Sequence, residues 1–306
     1  MRDAFIEELT NIASLNKDIF LITGDLGFGV LDEFESKFPQ QFLNAGVAEQ
    51  NMTGIAAGMA LEGYRVFTYS IANFCTLRCL EQIRNDICYH EAPVTIVSIG
   101  GGFGYGSLGM SHHATEDLSI MRALPNLDVL VPGDDYEAKE ATKAICENKR
   151  PTYLRLERGA LNHDSQGILP YEFGKARELA SGSDLTILCS GGVTQVAIEA
   201  EKIMSRKGIN LRVASLHTLK PIDEEYILDC AKNTGGIVTL EENNLIGGLG
   251  SAVCEVLMDS QVHPKTFSRL GLNDVYSSIV GTQEYLREQY NLDSSALVKV
   301  IKELIQ

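Results

Sequence analysis

Short β-branched runs alternate with helix-length segments along almost the whole chain. That alternation limits the fold more than any other feature of the sequence. Residues 19–23, 66–69, 94–99, 128–131 and 152–156 read as strands, and 5–14, 48–61, 77–90 and 136–147 as helices. A strand, a helix and a second strand make a parallel pair with a crossover, so the series predicts a parallel sheet with helices on both faces. A second series follows, with strands at 185–188, 211–214, 236–240 and 266–270 and helices at 194–207, 224–231, 249–258 and 294–304. Between them lies a loop-like stretch rich in Gly, Asn, Asp, Ser and Pro. The expected fold class is α/β, with two domains, 1–165 and 183–306, each a mostly parallel sheet with flanking helices, joined by a linker over 166–182. Ligands of such sheets collect at the strand ends.

Charge narrows the function. The chain carries 26 Lys and Arg against 41 Asp and Glu, a net −15. A nucleic-acid binder needs a basic footprint to displace counterions, and an anionic membrane repels an acidic surface. Neither partner is expected, although a local basic pocket can coexist with an acidic exterior. The opening MRDAFIEELT has no apolar h-region, so no signal peptide is expected. There is no run of 18 apolar residues to span a membrane. The seven cysteines (75, 79, 88, 146, 189, 230 and 254) form no CxxC pair and read as buried reduced thiols of a cytoplasmic protein. No Cys/His cluster has zinc-ligand spacing, and no metal ligand is assigned.

Four stretches carry candidate chemistry. Glu49 opens a helix whose Gly54, Ala56, Ala57, Gly58 and Ala60 let its backbone pack close to something; the acid either favours the positive end of the helix dipole or does chemistry. Tyr69 ends a strand, Phe74 follows it, and such aromatics read as core or as a stacking platform for a flat ring. Six glycines between 100 and 109 permit close backbone approach to a ligand, and His112 and His113 follow them. Those histidines suit acid/base or oxyanion work, or else belong to a helix-capping loop with Thr115 as cap and Asp117 in the first turn. Arg158 stands just past a strand end, placed for a phosphate or carboxylate or for a surface ion pair.

In order, these stretches resemble the C-terminal half of transketolases over nearly the whole chain. GVAEQNMTGIAAGMALEGYRVF resembles the family's glutamate segment, and NFCTLRCLEQIRNDICY its aromatic-plus-helix segment. HHATEDLSIMRALPNLDVLVPGDD resembles its His loop, while LHTLKPID and GIVTLEENNLIGGLGSAVCEVL resemble its C-terminal domain. The resemblance implies a pyrimidine-binding domain followed by a transketolase C-terminal domain, with thiamine diphosphate at a dimer interface. The family's GDG metal motif is missing, since the chain has Gly24-Asp25-Leu26. The implied protein is therefore the small subunit of a split enzyme. A large subunit then carries the diphosphate and Mg²⁺ ligands in an α2β2 heterotetramer, and a two-carbon ketol unit passes between sugar phosphates.

By the same resemblance, Glu49 holds the pyrimidine nitrogen of the cofactor and works best desolvated. Phe74 stacks on the ring, Tyr69 flanks it and Arg78 supports the site. His112 stabilises substrate oxygen and relays a proton, and His113 shares or tunes that role. Arg2 and Arg158 hold the sugar phosphate. Three departures stand out. Leu108 replaces an Asp that reads the donor hydroxyl, Gly100 a phosphate-binding His, and Gly29 a phosphate-binding Ser. An altered sugar-reading shell around intact cofactor machinery implies a non-standard substrate. The alternatives are the beta subunit of a 2-oxoacid dehydrogenase, a deoxyxylulose-phosphate-synthase-like enzyme, or a non-catalytic regulatory paralogue. His217 and Lys220 are expected to be structural.

Overall fold

A computed structural model of the chain describes residues 1–157 and 170–305. The first sheet takes β1 (Ile19–Thr23), β2 (Phe42–Asn44), β3 (Arg65–Ile71), β4 (Val94–Ile99), β5 (Asp128–Leu130) and β6 (Thr152–Leu156). All six run parallel, in the order β5-β6-β4-β3-β1-β2. Their helices are α1 (Arg2–Leu15), α2 (Asp32–Lys37), α3 (Glu49–Leu61), α4 (Ala72–Leu77), α5 (Leu80–Gln82), α6 (Asp117–Ala123) and α7 (Asp135–Glu147). Side-chain alternation accounts for burial on both faces. Val66, Ile96 and Val129 point into one core, and their neighbours Phe67, Val97 and Leu130 into the other.

The second sheet takes β7 (Arg177–Ala180), β8 (Leu185–Cys189), β9 (Leu211–Ser215), β11 (Ile237–Asn244) and β12 (Phe267–Leu272), in the order β12-β11-β8-β9-β7. Around it lie α8 (Thr194–Ser205), α9 (Glu224–Asn233), α10 (Leu249–Asp259), α11 (Gln283–Gln289) and α12 (Ser294–Ile305). Both halves are α/β with mostly parallel sheets, as the alternation predicts. β10 (Thr218–Lys220) leaves its own half and pairs antiparallel with β5, making a seventh strand of the first sheet. Leu188, Ala214, Leu249 and Val253 share one hydrophobic cluster with Met52, Val66 and Ile96, so one core runs through both halves. Among the described residues no helix is long and apolar enough to cross a membrane.

Two expected segments differ. The stretch 166–182 holds β7, antiparallel to β9. Its polar sequence hides it, because Arg177 is buried and bonds Asp134 (2.7 Å) and Glu137 (3.1 Å) at the start of α7. The helix expected over 77–90 is broken after α4. Cys79 leaves helical geometry (φ −111°, ψ 9°), and α5 runs into a π-helical turn, Ile83–Cys88. Such turns occur often at functional sites.

Buried carboxylates tie the fold to pH. Glu241 on β11 accepts backbone N–H bonds from Leu249 (2.7 Å) and Gly250 (2.8 Å) at the start of α10. Burial nevertheless pushes this carboxyl up to about 7. In an unfolded chain it titrates at about 4.3. The folded form holds the proton more tightly, so its contribution to stability is full below about pH 4.3 and is lost as pH rises through about 7. Glu137, buried beside Asp134, shifts the same way. Glu241→Gln is expected to flatten part of the dependence of the unfolding midpoint on pH across that window. A curve parallel to wild type would contradict the assignment.

Candidate active site

Four of the expected residues come together at the N-terminal end of α3. Glu49 is the first residue of that helix and is only 6% exposed. Arg78, at the C-terminal end of α4, donates from Nη1 to Glu49 Oε1 at 2.8 Å. The Arg78 guanidinium also lies over the Phe74 ring, 3.9 Å from its centroid. The His112 ring meets Phe74 edge to face at 5.1 Å. Arg78 keeps helical backbone geometry (φ −67°, ψ −28°), and the helix breaks at the next residue, Cys79. Asn73 Nδ2 donates to the Ser111 carbonyl at 2.9 Å and ties the His loop to α4. Ser111 Oγ lies 3.1 Å from His112 Nδ1.

Glu49 and Arg78 open on a groove of ≈ 450 Å³ shared with Val47, Ala48, Gln50 and Asn51. A buried carboxylate on a helix start, an aromatic ring and a histidine fit a flat heterocycle with a ring nitrogen, the chemistry of the thiamine pyrimidine. Arg78 both pairs with Glu49 and covers one face of Phe74. Among the described residues no three His, Cys, Asp or Glu gather as a metal site.

Arg2 and Tyr69 sit together elsewhere, with Tyr105, in a smaller pocket of ≈ 190 Å³ whose other walls include Phe28 and Ile99. Tyr69, expected beside the pyrimidine, lines this pocket at the end of β3. Arg2 lies in the first turn of α1, and its Nε donates to Asp3 Oδ1 at 2.8 Å. The two places are linked, because the Tyr105 and His112 ring centroids are 6.4 Å apart. Arg158 lies outside the described residues.

His113 does not join His112. The 3₁₀ turn Met110–His112 ends there, and His113 is extended (φ −71°, ψ 135°), which turns its side chain inward. The ring is 3% exposed, meets Phe103 edge to face at 5.1 Å, and donates from Nε2 to the Gly106 carbonyl at 3.2 Å. The helix-cap alternative also differs. Glu116 is the N-cap of α6, without a side-chain cap bond, and Thr115 bonds Glu116. Asp117 does lie in the first turn, where the Tyr153 hydroxyl donates to it at 2.6 Å.

The glycine-rich loop serves the fold. A Cβ on Gly101 would lie 1.7 Å from Arg155 Nε, and one on Gly102 2.3 Å from Glu242 Oε1. Gly100 has φ +77°, and its Cβ would strike the Tyr105 ring at 2.3 Å. The space at Gly100 is thus filled by a phenol rather than left empty. Leu108 is 54% exposed beside the His loop, and Gly29 (φ +73°) has open space around it. His217 is buried and stacks on Tyr171 at 4.2 Å, and burial pushes its pKa down to about 3. Lys220 bonds the carbonyls of Arg122 and Leu124 at the end of α6. Both are accounted for by packing. All seven cysteines are free, and five are buried.

Fold and site together define an α/β protein that gathers a buried carboxylate, an arginine, an aromatic ring and a histidine beside its first sheet. The transketolase pyrimidine-binding domain family matches residues 1–163, and the transketolase C-terminal domain family matches 174–297. A protein of Methanocaldococcus jannaschii described as a transketolase C-terminal section is 37% identical, over 99% of this chain and 95% of its own length. One of the subunits of an apulose-4-phosphate transketolase from Phocaeicola vulgatus is 33% identical, over 100% and 97%. A split-gene transketolase solved as an inactive β4 tetramer superposes with a TM-score of 0.90 at 36% identity, over 99% and 97%. The transketolase of Campylobacter jejuni shares the fold (TM-score 0.82, 20% identity), with this chain spanning 46% of it. The chain belongs to the transketolase family.

Proposed function

We propose that this chain is the small subunit of a split, thiamine-diphosphate-dependent transketolase that moves a two-carbon ketol unit between sugar substrates. The observation that carries the reading is the Glu49–Arg78–Phe74–His112 cluster beside an open groove. Bound thiamine diphosphate would supply the nucleophilic carbon that takes up the ketol unit. Glu49 holds the pyrimidine through a proton shared at its carboxylate, and Arg78 fixes the orientation of that carboxylate. Phe74 supplies a ring wall. His112 faces the substrate, where a hydrogen bond to oxygen stabilises developing charge and moves a proton. Arg2, with Arg158, holds the anionic end of the sugar.

The diphosphate and Mg²⁺ ligands belong to a large partner subunit in an α2β2 assembly. Two features support this. The chain spans 46% of a full-length transketolase. A Cβ on Gly54 or Gly58 of α3 would meet nothing within 4 Å among the described residues, which leaves that helix face open for another chain. We place the enzyme in the cytoplasm, in keeping with seven free thiols. Leu108, Gly29 and the phenol at Gly100 favour a non-standard sugar. Ketol transfer by the chain mixed with its large subunit tests both parts. Activity that requires thiamine diphosphate is expected, with poor turnover of xylulose 5-phosphate plus ribose 5-phosphate. Efficient turnover of that pair would overturn the substrate reading.

A further inference from the structure

We propose that Tyr105 is a specificity-determining residue, a fixed wall that sets how long a ketose the site accepts. This rests on the ketol-transfer reading above. Contacting side chains run in one row from Glu49 through Arg78, Phe74 and His112 to Tyr105. Beyond Tyr105 the row ends in the small pocket shared with Arg2, Tyr69, Phe28 and Ile99. A substrate whose reacting carbon lies near His112 places its far end here, beside the Arg2 guanidinium.

The phenol is a fixed wall for a steric reason. It sits against the backbone at Gly100, where even a Cβ would lie 2.3 Å from its ring. Gly104 closes the turn behind it, since a Cβ there would lie 2.7 Å from Gly100 Cα. The ring also packs on the core between the first sheet and α1. At ≈ 190 Å³ the pocket takes a compact end, and Tyr105, as one of its walls, limits each added carbon. Tyr105 lines the pocket at the far end of the row rather than the groove at Glu49, so its effect falls on selection between substrates.

The test is a kcat/KM series on the complex of this chain with its large subunit, using ketose phosphates of five, six and seven carbons as donors. Tyr105→Ala and Tyr105→Leu are expected to raise the seven-carbon to five-carbon ratio at least tenfold, the range in which a pocket discriminates a single methylene. Tyr105→Phe, which keeps the wall, is expected to leave the ratio within twofold of wild type. Co-elution of each variant with the large subunit in size-exclusion chromatography shows that the complex is assembled. If Tyr105→Ala does not assemble, Tyr105→Leu decides the question. A ratio unchanged in a variant that still transfers ketol overturns the role of Tyr105 alone. No transfer by the wild-type complex with these donors or with unphosphorylated, deoxy or otherwise modified ketoses overturns the ketol-transfer reading, and the inference with it.

Discussion

Glu49→Gln is expected to lower kcat for ketol transfer by the reconstituted enzyme ~10²- to 10⁴-fold, the span that positioned proton transfer contributes. The amide keeps the shape of the carboxylate and one oxygen for Arg78, which donates to Glu49 Oε1 at 2.8 Å. It cannot hold or release the shared proton. Stability should barely move. Arg78 has 49% of its side chain exposed, so the ion pair is screened and is worth about 1 kcal/mol or less. The measurement is kcat beside the thermal midpoint. A variant within tenfold of wild type would remove Glu49 from the chemistry, and a collapsed midpoint would make its role structural.

Arg287→Ala should do the opposite: a loss of ~3–5 kcal/mol of stability, because it leaves buried carboxylates unpaired. Arg287 Nε bonds Glu242 Oε2, and both residues are buried. Glu242 also accepts from the Phe103 N–H (2.5 Å) and from Gln283 Nε2 (2.9 Å), which bridges to Glu157 Oε2 at the same distance. Arg155, 4% exposed, donates to the Glu242 carbonyl at 2.9 Å and lies 3.5 Å from Asp117. Burial, with Glu242 beside it, pushes the Glu157 carboxyl up, so the cluster already tolerates little added negative charge. It joins the end of β6 and the glycine loop to β11 and α11. The expected fall in midpoint is roughly 10 °C. An unchanged midpoint would show that packing alone holds the halves together.

The sequence made much of this legible, for identifiable reasons. Parallel strands buried on both faces announce themselves as β-branched runs, and β1, β4 and β6 appear where expected. Glu49, Phe74, Arg78 and His112 lie on two local motifs and one loop, so their order along the chain already brought them near. β7 and β10 were hidden because they are short and their pairing is non-local. Arg177 makes β7 look like loop, and β10 belongs to a sheet built by the other half of the chain. His113 could not be separated from His112 by spacing, since only the end of a 3₁₀ turn sends the two rings apart. The glycines at 100–102 looked like a ligand cradle. Their real neighbours, Tyr105, Arg155 and Glu242, approach from the loop, the sheet and the other domain. Tyr105 itself left one signal, a lone tyrosine among glycines, which does not say which way it points.

If this chain holds half of a thiamine-dependent site, neither half works without the other. The decisive measurement is ketol transfer with the chain alone, the large subunit alone and the two mixed, each with and without thiamine diphosphate and Mg²⁺. Turnover is expected only in the mixture with both added, and Glu49→Gln is expected to abolish most of it. Turnover by the chain alone, or by the mixture without thiamine diphosphate, would contradict the half-site reading.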